Sequence, residues 1–170
     1  FGEIWGYTTD RFYTENDFVD GKLKDDIPVF LGQNRDNVKP GDILYKDFDG
    51  DGKISNGDNS ENNPGDLRKI GNSTPRFQYG INAGISYKDF DLSLFFTGVG
   101  KRDLWISDLW APNGQFVSSV FDYQTDYWQE DNQNAYYPRV YGEGGNNSYN
   151  NKRQTKYLKD GSYVRLKNLT

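Results

Sequence analysis

Twelve residues carry the clearest chemistry of this chain: Asp47-Phe48-Asp49-Gly50-Asp51-Gly52-Lys53-Ile54-Ser55-Asn56-Gly57-Asp58. Acidic side chains occupy loop positions 1, 3, 5 and 12, glycine holds position 6 and an apolar residue position 8. That is the spacing of a calcium loop. Ca²⁺ is a hard cation that gathers about six to eight oxygens. Asp47, Asp49 and Asp51 can converge on one ion only if the chain turns sharply, and Gly52 permits that turn. Lys53 would add its backbone carbonyl, Ser55 a hydroxyl or a bridging water, and Asp58 would close the shell. Without a cation the four carboxylates repel one another, offset only by Lys53. The competing reading is a plain solvated acidic turn, since Asp, Gly, Asn and Ser are ordinary loop residues.

The flanks decide what such a loop is for. Gly41 to Lys46 reads as extended, and Asn59 to Gly65 is too rich in Asn, Gly and Pro for a helix. No helix pair is there to open. The expected role is a structural staple in a β-rich protein, not a calcium sensor.

Composition agrees with β-structure carrying large polar loops. Of 170 residues, 34% are hydrophobic but 16% are aromatic, with 13 Tyr, 11 Phe and 4 Trp. Mean hydropathy is −0.93, and no run is long enough for a transmembrane helix. A β-barrel gives a much weaker signal and stays open. Net charge is −5 and the 20 basic residues are scattered, which argues against nucleic acid. There is no Cys and no His, so thiol chemistry and the commonest general base are missing. The chain starts at Phe1 without a Met and stops at Thr170 within an extended pattern, as a fragment would.

The strongest periodicity lies between Arg76 and Gly98. Phe77, Tyr79, Ile81, Ala83, Ile85 and Tyr87 alternate with Gln78, Gly80, Asn82, Gly84 and Ser86. After Lys88-Asp89, residues Phe90, Leu92, Leu94 and Phe96 share one face; Phe95 breaks the rule on the other. Strands of this length can cross a bilayer in a barrel, with Tyr79, Tyr87, Phe90 and Phe96 as girdle aromatics. A soluble sandwich hairpin with one wet face has the same pattern. The small residues Gly80, Gly84 and Ser86 fit a crowded or water-filled lumen. Strands are expected near 2–9, 76–87, 90–98 and 162–170, with loops at 10–75 and 100–161. Trp5 and Tyr7 are expected to share a face of the first strand. A short helical turn is expected after Thr14 and another near Ser118 to Phe121, and residues 25–39 read as irregular. Leu166 and Leu169 fall on opposite faces unless a bulge intervenes.

Several segments taken in order resemble a known family. They are Asp42 to Ile54, Ile70 to Gly80 (Ile-Gly-Asn-Ser-Thr-Pro-Arg-Phe-Gln-Tyr-Gly), Phe90 to Gly100 followed by Arg102-Asp103, Asn132 to Arg139, and Tyr157 to Thr170. Together they are similar to the C-terminal part of SusC/RagA-type TonB-linked outer-membrane transporters. The resemblance implies an all-β chain that forms part of a large antiparallel transmembrane barrel of about 22 strands. It also implies a Gram-negative outer-membrane location, energy from the TonB complex, and import of an oligosaccharide or peptide with a SusD-like surface lipoprotein. No residue here matches the family's plug or TonB box.

On that reading Phe77, Ile81, Ile85, Leu92 and Leu94 face lipid, while Gln78, Asn82, Ser86 and Ser93 face the lumen. Trp105, Trp110 and Trp128 could stack on sugar rings as ligand-binding residues, or could pack the long loop onto itself or a partner. Asp122, Asp126, Glu130 and Asp131 give no defined acid pair, so no enzyme activity is expected. A secreted, calcium-stabilised β-sandwich that binds glycans is the alternative from a different class.

Overall fold

The structure, a computed structural model, describes residues 1–106, 122–141 and 148–170. Among the described residues there is no α-helix, only strands and short 3-10 turns. The strands are β1 (Glu3–Gly6), β2 (Thr9–Phe12), β3 (Phe18–Val19), β4 (Lys22–Leu23), β5 (Val29–Phe30), β6 (Ile43–Tyr45), β7 (Lys53–Ile54), β8 (Arg68–Asn72), β9 (Gln78–Tyr87), β10 (Phe90–Val99), β11 (Asp103–Leu104), β12 (Lys159–Asp160) and β13 (Tyr163–Leu169). The all-β class expected from the residues is therefore the class observed. No described helix is long and apolar enough to cross a membrane, which says nothing of crossing by strands.

The chain divides into two compact units. The first comprises Phe1–Ile4, Lys69–Ile106 and Tyr157–Thr170. Its centre is an antiparallel sheet in the order β13-β10-β9. Every residue of β9 is exposed, on both faces, because alternating side chains cannot bury both sides without covering layers. The register sorts the chemistry cleanly. Ile81 lies opposite Phe96, Ala83 opposite Leu94 and Ile85 opposite Leu92, while Asn82 lies opposite Phe95 and Gly84 opposite Ser93. One face is thus apolar and the other largely polar. Phe95 stands on the polar face because Gly80 leaves room: a Cβ at Gly80 would come within 3.2 Å of the Phe95 ring.

β13 resolves the ambiguity in its own sequence. Leu94 pairs with Leu169, Phe95 with Asn168 and Phe96 with Leu166, so Lys167 is the extra residue of a bulge. The bulge restores Leu166 and Leu169 to one apolar face with Leu94 and Phe96. Beyond the sheet, Arg102 and Asp103 tie the base of the second long loop to that of the first. Asp103 Oδ2 accepts the Asn72 N–H at 2.9 Å and Arg102 Nε donates to the Ser73 carbonyl at 3.0 Å.

The second unit comprises Trp5–Arg68 and the described part of Ser107–Lys156. Here the loop regions are not structureless. Tyr13, Leu23, Val29, Val38 and Leu44 form a buried cluster, with Phe18 and Ile27 packed against it. Three of these seven residues, Ile27, Val29 and Val38, come from the stretch read as irregular. Their spacing follows neither period, because Val29 lies in two-residue β5, Val38 caps the 3-10 turn at Arg35–Asn37 and Ile27 lies in the bend before β5. Tyr7 and Tyr45 meet Phe30 edge-on, with centroids 4.9 and 5.2 Å away, and Tyr149 stacks on Phe30 at 4.8 Å. The turn expected after Thr14 is a 3-10 turn at Glu15–Asp17. Its Asp17 accepts the Thr14 N–H and both terminal nitrogens of Arg11, at 2.6–2.8 Å. Ile4 and Gly6, not Trp5, are buried on β1, and Trp5 remains 38% exposed. The turn read near Ser118 to Phe121 lies outside the described residues.

Candidate metal centre

The acidic loop follows β6 and contains β7 at its seventh and eighth positions. β7 pairs in parallel with β5, Val29 opposite Lys53 and Phe30 opposite Ile54. Ile54, almost fully buried, anchors the loop's apolar eighth position. Between these anchors the chain folds around its own carboxylates. Asp47 accepts the Gly50 and Gly52 N–H groups at 2.6 and 2.8 Å. Asp49 accepts the Asp51 N–H at 3.2 Å and Asp51 the Lys53 N–H at 2.7 Å. Gly52 sits at φ +78, the left-handed geometry that its lack of a Cβ permits.

Three carboxylates present oxygens within 4.8 Å of one another: those of Asp47, Asp49 and Asp66. Two of these belong to the predicted ligand set. Of the others, Asp51 caps the loop backbone and Asp58 accepts the Ser60 N–H, and neither joins the three-carboxylate group. Ser55 Oγ accepts the Gly57 N–H at 3.2 Å, and Lys53 lies in β7. Asp66 is the residue that loop spacing missed. It is 0% exposed, and its two oxygens accept the Phe48 and Ser55 N–H groups at 2.7 and 2.8 Å. A sequence signal did exist. Asp66 follows Pro64-Gly65 as Asp42 follows Pro40-Gly41, and both aspartates are 0% exposed. In each Pro-Gly-Asp the turn throws the carboxylate inward.

Electrostatics bear the mark of crowding. Partial burial pushes the Asp47 carboxyl up, but the Gly52 and Gly50 N–H groups outweigh it and hold the pKa below the ordinary value. For Asp49 the Asp51 N–H pulls down, yet desolvation and the charges of Asp51 and Asp66 leave the pKa raised. A cation would relieve that repulsion. Its donor set would fit a hard ion. With metal–oxygen distances of about 2.3–2.6 Å, two oxygens on one Ca²⁺ can be up to about 5 Å apart, and the three carboxylates fall inside that limit.

The tryptophans are placed differently from one another. Trp128 is 4% exposed, its ring against Gly41 and beneath the Arg139 guanidinium, 5.6 Å from the centroid. Its indole packs loop against loop. Gly41 has φ +90, and any Cβ there would collide with the Trp128 ring. Trp105 is partly buried, and Trp110 lies outside the described residues.

Among the described residues the fold and site define an all-β segment: one unit with an antiparallel sheet whose strand β9 is exposed on both faces, and a second unit that carries an acidic loop. No family model matches the chain, and no solved structure matches it. Two relatives do. The TonB-dependent receptor P3 of Formosa agariphila is 34% identical over 171 residues, covering 99% of this chain. The TonB-dependent receptor P26 of the same organism is 28% identical over 136 residues, covering 78%. The chain spans only 14% and 12% of their lengths. These similarities support a fragment of a TonB-dependent receptor. TonB-dependent receptors are outer-membrane proteins of Gram-negative bacteria, and this is the location the similarity gives the chain. Neither relative supports the secreted sandwich, and among the described residues no second sheet covers β9.

Proposed function

We propose that the chain is part of a SusC/RagA-type importer. It would carry an oligosaccharide or peptide across the outer membrane, with energy from TonB and capture by a SusD-like lipoprotein. Its work would be transport, not catalysis. The observation that carries this reading is the β13-β10-β9 sheet, apolar on one face and largely polar on the other, in a chain similar over nearly its whole length to a TonB-dependent receptor. A barrel wall needs both faces, one for lipid and one for the lumen.

Ca²⁺ is the proposed structural ion of the acidic loop. Asp47, Asp49 and Asp66 would hold it, with further oxygens from the neighbouring predicted ligands Asp51, Lys53, Ser55 and Asp58. Bound there, the ion supplies charge neutralisation and fixes the loop's shape.

Uptake tests the transport reading. Cells expressing the full-length protein are expected to accumulate a member of a labelled oligosaccharide and peptide panel, and to lose that accumulation when TonB is deleted. Accumulation unaffected by loss of TonB would contradict the proposal.

A further inference from the structure

Two buried side-chain amides late in the chain complete a strand more than a hundred residues earlier. Asn150 Oδ1 accepts the Ile43 N–H at 2.8 Å, and its Nδ2 donates to Asp42 Oδ1 at 2.7 Å. Gln154, 0% exposed, donates from Nε2 to the Tyr45 hydroxyl at 2.9 Å and to the Asn150 carbonyl at 2.8 Å. Its Oε1 accepts the Thr9 hydroxyl at 2.8 Å. The Tyr45 hydroxyl in turn donates to the Tyr149 carbonyl at 2.8 Å. The backbone continues the seam, Tyr7 N–H to the Arg153 carbonyl at 2.8 Å and Thr155 N–H to the Tyr7 carbonyl at 3.1 Å. The same two loops also meet at Gly41, whose carbonyl accepts the Arg139 N–H at 2.9 Å.

Such a network is held together by the cost of breaking it. Lifting 148–155 away would strip partners from Asp42, Ile43 and Tyr45, all buried. Buried polar groups without partners are strongly penalised, and networks of them respond as a unit. The converse also holds: if β2 and β6 open, Asn150 loses the Ile43 N–H and the Asp42 carboxylate, and Gln154 loses the Thr9 and Tyr45 hydroxyls while its Nε2 keeps the Asn150 and Lys152 carbonyls.

We propose that residues 148–155 form one cooperative unit with β2 and β6, with Asn150 and Gln154 as the positioning residues that couple them. Opening of either partner then opens both. The device links β6, which leads directly into the acidic loop, to residues that follow it by more than a hundred positions. It does not depend on a bound cation or on the transport reading.

Hydrogen exchange on the full-length protein tests this. Asn150→Ala combined with Gln154→Ala is expected to raise exchange by about tenfold or more in 148–155 and, equally, in β2 and β6. Faster exchange confined to 148–155, with β2 and β6 unchanged, would overturn the proposal. A second measurement needs no variant. In wild-type protein under increasing denaturant, the amides of Tyr7, Ile43 and Thr155 are expected to merge into one opening isotherm. Separate isotherms would overturn it as well.

Discussion

Ile81→Arg is expected to block barrel assembly of the full-length protein, and Leu92→Arg to do the same, while Asn82→Asp assembles normally. Ile81 is 54% exposed on the apolar face of β9, opposite Phe96, and Leu92 lies opposite Ile85 on that face. For a soluble sheet, exposed arginine at either position would be nearly harmless. Facing lipid, it costs about 2–4 kcal/mol near the bilayer midplane. Asn82 lies one residue away on the polar face, where a carboxylate stays hydrated. Heat-modifiable gel migration and outer-membrane fractionation give the readout. Equal tolerance of all three substitutions would contradict a lipid-facing surface.

The second large effect is expected at Asp66. Asp66→Ala removes the acceptor for two backbone N–H groups, Phe48 on one side of the acidic loop and Ser55 on the other. Losing both bonds is expected to cost about 1–3 kcal/mol of local stability. Tryptic cleavage after Lys53 in the full-length protein should then accelerate about 10- to 100-fold. Asp58→Ala, which removes only bonds local to Ser60 and Asn63, should leave the rate near that of wild type without added calcium. Titrated Ca²⁺ should slow cleavage of wild type and leave Asp49→Ala much less protected, because Asp49 contributes to the carboxylate cluster without bracing the backbone across it. Asp66→Ala behaving like Asp58→Ala would refute the bracing role, and equal calcium protection of wild type and Asp49→Ala would leave a plain acidic turn.

What could be read from the residues follows from which forces are local. β9 and β10 were legible because a strand with two different faces alternates strictly, and their register then follows from the two-residue turn at Lys88-Asp89. β13 was half legible: Leu166 and Leu169 conflict in any regular strand, and only pairing with β10 puts the bulge at Lys167. Residues 25–39 gave no signal because their core residues come from a bend, one two-residue strand and the cap of a 3-10 turn, too short to show a period. The acidic loop was visible through its spacing, yet Asp66 was not, since it enters from outside the twelve residues through a buried turn. For Trp128 the residues left stacking and packing both open, because sequence records the ring but not that Gly41 receives it. Asn150 and Gln154 lie in a polar, unremarkable stretch, and their role depends entirely on contacts with residues far back in the chain.

The most direct test of a bilayer-spanning sheet is depth-resolved labelling along β9. This segment contains no Cys, so single cysteines at Gly80 to Ser86 can each carry an environment-sensitive fluorophore in an otherwise cysteine-free full-length protein. In reconstituted membranes, labels at 81, 83 and 85 should be quenched by brominated lipid and shielded from iodide, with 80, 82, 84 and 86 showing the reverse. Quenching by iodide at every position, with no alternation, would contradict the barrel account.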